Sequence, residues 1–75
     1  MQVVVESYSG HRADERPLRF VLNGRSYQVR EVEDRWYSPE AIYFRVVASD
    51  GNWYVLRRDE TADLWSLEGF RSSGE

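Results

Sequence analysis

Two dipeptides, Asn23-Gly24 and Asp50-Gly51, stand between stretches of alternating residues and constrain this chain more than anything else in it. Each suits a two-residue hairpin turn with positive φ, where glycine carries no steric cost. Together they predict an antiparallel β meander. No stretch shows sustained helical periodicity, although residues 59–64 have room for one short turn.

The first turn sets a register. With residues 18–22 and 25–34 as strands, Leu22 falls opposite Arg25, Val21 opposite Ser26 and Phe20 opposite Tyr27. Arg19 then meets Gln28, and Leu18 meets Val29. One face carries Leu18, Phe20, Tyr27 and Val29. The other carries Arg19, Ser26 and Gln28, with Val21 as its apolar member. The alternation slips after Val29, and a β-bulge near Arg30-Glu31 would turn Val32 inward again.

Residues 41–48 and 52–58 form the second hairpin, with two registers open. A two-residue turn at Asp50-Gly51 pairs Ala48 with Trp53, Val46 with Val55 and Phe44 with Arg57. A three-residue turn with a glycine bulge pairs Phe44 with Leu56 and Val46 with Tyr54, leaving Trp53 beside Val47 on the other face.

Residues 2–7 are rich in β-branched side chains and read as a first strand. It is expected to pair with a later strand, because an uncovered valine-rich edge invites aggregation. Residues 9–16 read as a polar loop. Pro17 cannot donate to a ladder and should open a strand. Residues 37–40 form a loop or turn, and residues 59–63 an acidic one. Residues 64–68 make the last strand, with Trp65 and Leu67 on one side. The fold class is therefore all-β, a bent antiparallel meander of five or six strands. It closes either as a small SH3-like barrel or as a single curled sheet.

A chain of 75 residues is one domain, ordered from about residue 2 to residue 70 with a frayed tail at 71–75. Its core must come from three Trp, five Tyr and three Phe, each burying about 150–250 Å² when inside. The expected core is Val4, Leu18, Phe20, Tyr27, Val29, Val32, Trp36, Phe44, Val46, Tyr54, Leu56, Trp65 and Leu67. The absence of cysteine excludes a disulfide and a thiolate zinc site and suits a reducing cytoplasm. Apolar runs such as Val3-Val4-Val5 never exceed four residues, too short for a membrane span of about 20 residues or for a signal core.

Catalytic patterns are sparse. His11 sits in a polar loop with no Ser, Cys or second His at a useful spacing, and a general base needs a positioned partner. Glu31 and Glu33 share a strand face beside Asp34, as the wet side of a sheet does; paired carboxylates also serve acid–base chemistry or a hard cation. The acidic segment 59–63 is too short for a calcium loop and lacks its glycine and closing glutamate. No phosphate loop, nucleophile elbow or metal-ligand spacing is present. The expectation is a protein without catalytic residues, cofactor or metal.

One constellation is less ordinary. Trp36, Tyr37, Tyr43, Arg45, Trp53, Arg57 and Arg58 mix guanidinium groups with rings on adjoining strands. All ten basic residues are arginine, against thirteen acidic ones, for a net charge of −3. Such residues anchor protein partners or stack the bases of single strands. They also simply cover a Trp-rich core with Arg stems. The negative balance weighs against phosphate contacts.

The order Pro17-x-x-Phe20, Gly24-x-x-Tyr27-x-Val29-x-x-Val32-x-x-x-Trp36, Tyr43-Phe44-Arg45-Val46, Gly51-x-x-Tyr54-x-Leu56 and Trp65-x-Leu67 resembles a family of small bacterial β domains without an assigned activity. Members of that family stand alone or are appended to proteins related to Y-family DNA polymerases. The resemblance implies a DNA-repair setting and carries over no functional residue. The function expected is a cytoplasmic, non-catalytic protein-interaction module, monomeric or weakly dimeric, with no membrane contact. The alternative is a nucleic-acid-binding accessory module linked to repair, using Arg45, Arg57 and Arg58.

Overall fold

The computed structural model describes residues 1–8 and 16–72. His11 and the last three residues of the expected tail lie outside the described residues. The described chain is six strands: β1 (Gln2–Tyr8), β2 (Arg16–Leu22), β3 (Arg25–Tyr37), β4 (Ala41–Ala48), β5 (Trp53–Asp59) and β6 (Leu64–Arg71). Each pairs antiparallel with the next, and β1 returns to β6 through Gln2 opposite Ser66 and Val3 opposite Trp65. The sheet thus closes into a small barrel, consistent with the SH3-like class, rather than staying a single curled sheet. Closure hides the valine-rich edge of β1 that would otherwise be exposed.

The first hairpin has the register its turn dictates, from Leu22 opposite Arg25 to Arg19 opposite Gln28. Asn23 and Gly24 take φ of 54° and 77°, the two positive values a tight primed turn requires. The second hairpin adopts the three-residue loop, so Asp50-Gly51 is not a two-residue turn. Gly51 N–H donates to the Ala48 carbonyl at 2.8 Å and Gly51 takes φ of 86°. Phe44 therefore faces Leu56, Val46 faces Tyr54, and Val47 faces Trp53. Apolar partners meet inside the barrel, and that outcome selects the register.

Phe20, Phe44, Val46, Tyr54, Leu56 and Trp65 are buried, with Tyr27, Val29, Val32 and Leu67 packed against them. Phe20 stacks on Tyr27 with centroids 5.2 Å apart and meets Tyr54 edge-on at 5.0 Å. At the other end Phe44 and Trp65 lie 5.6 Å apart. Such ring pairs add about 0.5–1.5 kcal/mol each beyond their buried area.

Three expected core residues are on the surface, and local geometry explains each. Val4 is 71% exposed, because Val3 is the β1 residue that faces inward and opposes Trp65. Leu18 is 40% exposed: Arg19 opposes Glu6 while Pro17 opposes Ser7, so Leu18 is the extra residue of a bulge and Pro17 is buried in its place. Strand β3 carries two bulges. Arg30 is the extra residue of the first, where the broken alternation placed it, and Glu33 of the second. The second reverses the faces again, so Arg35 lies over the Phe44 ring at 5.3 Å while Trp36 is 40% exposed. A fourth bulge, at Glu68, lets β6 run past residue 68 to Arg71, which belongs to the strand and not to a frayed tail.

Candidate functional site

Register across three strands assembles the first part of the site. Trp36 on β3 opposes Tyr43 on β4, and Tyr43 opposes Arg57 on β5. Trp36 and Tyr43 stack with an interplanar angle of 1° and centroids 5.5 Å apart. Arg57 continues the row: its guanidinium carbon lies 5.9 Å from the Tyr43 centroid, and its Nε donates to the Tyr43 hydroxyl at 3.4 Å. Its Nη1 meets Asp59 Oδ2 at 3.3 Å. The bond to Tyr43, and then the Asp59 carboxylate, hold the Arg57 guanidinium above its ordinary value.

Asp59 is held below the usual carboxylate range by the Ala62 and Thr61 backbone N–H groups and by Arg57. Both N–H groups donate to Asp59 Oδ1 at 2.9 Å. The acidic segment is therefore a capped turn. Among the described residues no three His, Cys, Asp or Glu side chains gather as metal ligands do.

The second part is a cleft of about 540 Å³ lined by Glu33, Arg45, Trp53, Val55, Phe70 and Arg71. The β3 bulge re-aims Glu33 across β4. Its Oε1 accepts from Trp53 Nε1 at 3.0 Å and forms an ion pair with Arg45, whose Nε lies 3.5 Å away. One carboxylate thereby fixes an indole and a guanidinium in the same cleft. Phe70 is 56% exposed while its ring contacts buried Tyr54 at 5.1 Å.

The remaining expected site residues lie elsewhere. Arg58 opposes Ile42 and Trp65, neighbours of the inward-facing row, and its guanidinium reaches Asp63 at 2.9 Å and Glu60 at 3.9 Å. Tyr37, 66% exposed, opposes Ile42 at the end of β3. The seven residues thus divide into a stacked row, a cleft and two separate positions.

Glu33, Phe70 and Arg71 are cleft residues that the sequence reading left out. Glu33 resembles any charge on a wet strand face. Phe70 and Arg71 follow Leu67 out of phase, and only the Glu68 bulge restores them to a strand. Comparison with protein-family models, curated proteins and solved structures found no match.

Proposed function

We propose that this chain is a cytoplasmic, non-catalytic protein-interaction module that holds its partner on the outer face of β3 to β6. One observation carries the reading: three of the arginines among the rings already have carboxylate partners. Arg45 is paired with Glu33, Arg57 with Asp59, and Arg58 with Asp63 and Glu60. Nucleic-acid affinity comes mainly from protein cations that neutralise phosphates and release the counterions condensed there, and these three are compensated within a chain of net charge −3.

Rings at the surface support the same reading. Trp36, Tyr37 and Phe70 expose large areas, and aromatic anchors dominate protein interfaces. The nearby carboxylates of Glu33 and Asp59 are engaged as ion-pair partners and a turn cap, which supports a binding role. The resemblance to domains appended to polymerase-like repair proteins would set such a partner in DNA repair.

Affinity capture with the purified chain tests the reading. Trp36→Ala should weaken capture of the partner by about 2 kcal/mol or more, as hot-spot truncations do. Its denaturation midpoint should fall by no more than the stacking energy, about 0.5–1.5 kcal/mol. Capture unchanged by Trp36→Ala and by Trp53→Ala would remove this face from the interaction.

A further inference from the structure

We propose that the cleft takes an extended peptide strand added along β6, with an apolar side chain on its floor and a carboxylate on Arg71. This rests on the interaction-module reading and names the chemistry of the partner. Four features converge on it.

The edge comes first. Leu67 N–H donates to the Met1 carbonyl at 2.6 Å, next to the Gln2–Ser66 pair. From Gly69 to Arg71, β6 pairs with β5 alone among the described residues. An incoming strand can take up those backbone groups, the mode in which main-chain bonds give affinity and side-chain pockets give selectivity.

The floor comes next. Gly69 opposes Val55. A Cβ at Gly69 would sit 3.6 Å from Val55 Cβ and Cγ2, an ordinary contact. Its absence leaves Val55 open to a side chain that crosses β6 from the edge.

The wall is one ring, Trp53, which opposes Arg71 across β5 and β6. Trp53 is anchored by its bond to Glu33. A ring held in place before binding loses little rotamer freedom on contact.

Charge selects the ligand. Glu33 already engages Arg45 and Trp53. Arg71 has no carboxylate partner among the described residues. The cleft is thus locally positive in a chain of net charge −3. A guanidinium fork suits one carboxylate in two-point contact. A nucleic-acid strand needs a track of cations for successive phosphates, and here the Glu33 carboxylate lines the same cleft and pairs with Arg45.

The test is selection of random peptides displayed on phage against the full chain. Retained peptides should combine Leu, Val or Phe with Asp or Glu at short spacing. A synthetic copy of one should shift the Glu68 to Arg71 amide signals and the Trp53 indole signal. Arg71→Glu should weaken it about tenfold, the scale of one charge-assisted contact, and Gly69→Ala should weaken it by filling the floor. Both variants should keep a dispersed spectrum. Selected peptides that are basic, or that shift signals away from β6, would overturn this cleft and leave the interaction-module reading standing. Retention of no peptide would overturn the proposal, and binding of an oligonucleotide instead would overturn that reading as well.

Discussion

The hydroxyl of Tyr54 donates a 2.6 Å hydrogen bond to the carboxylate of Asp50. It ties the barrel interior to the loop that joins β4 and β5. Asp50 also accepts from the Asn52 backbone N–H at 3.0 Å and from its side chain at 3.1 Å. Burial, reinforced by the bond to Asp50, pushes the Tyr54 phenol well above its ordinary value. Burial also pushes Asp50 upward, but the bonds from Tyr54 and Asn52 outweigh it and hold the carboxyl below its usual value.

A pH profile of stability follows from these two directions. Tyr54 has a raised folded-state pKa, so its contribution is complete below the unfolded phenol value of about 10 and is lost as pH rises beyond it. Asp50 has a lowered one, so its contribution is complete above about 3.9 and is lost as pH falls through the folded value. Urea midpoints across pH should show a plateau between those limits. Tyr54→Phe should cost about 1 kcal/mol at neutral pH and blunt the alkaline decline. An alkaline decline identical in Tyr54→Phe would show that another group titrates.

The inward face of β1 is set by Val3 against Trp65. Trp65→Ala removes a buried indole that also contacts Phe44 and should cost about 3–5 kcal/mol. Val4→Thr, one residue from Val3 but facing water, should change stability by no more than about 0.5 kcal/mol. Equal losses from the two would contradict the assigned face of β1.

Two glycines separate backbone strain from steric space. At Gly24 a Cβ meets nothing within 4 Å, but φ is +77°. Gly24→Ala should therefore lower stability by about 1–2 kcal/mol through the left-handed backbone alone. Gly69→Ala meets Val55 at contact distance and should stay within about 0.5 kcal/mol of the parent. Thermal midpoints of the two variants decide the matter.

Turns were legible in the sequence and bulges mostly were not. Asn23-Gly24 dictates positive φ through residue chemistry, and the register of β2 on β3 follows from it alone. For the second hairpin, residue types leave two turns open, and only the meeting of Phe44 with Leu56 and Val46 with Tyr54 decides between them. A bulge inserts one residue, and one residue reverses every side chain beyond it. The bulge at Arg30 shows as a broken alternation. Those at Leu18, Glu33 and Glu68 lack such a local mark, because the partner strand decides where the extra residue is tolerated. That is why Leu18 and Trp36 emerge at the surface and why Phe70 and Arg71 join a strand.

The site follows the same division. Trp36, Tyr43 and Arg57 are visible as residue types, but their single row requires the registers of two strand pairs at once. Arg58, one residue from Arg57, falls on the opposite side of β5 and serves the acidic turn instead.

The compensated arginines beside Trp36 and Trp53 are tested most directly by titrating the isotope-labelled chain with single-stranded and double-stranded DNA at low salt. The Trp36 and Trp53 indole N–H signals should stay where they are, because Glu33 and Asp59 already hold the adjacent guanidinium groups. Movement of the Trp53 signal together with the Arg45 and Arg71 amides, reversed by added salt, would contradict the account and make this face a nucleic-acid surface.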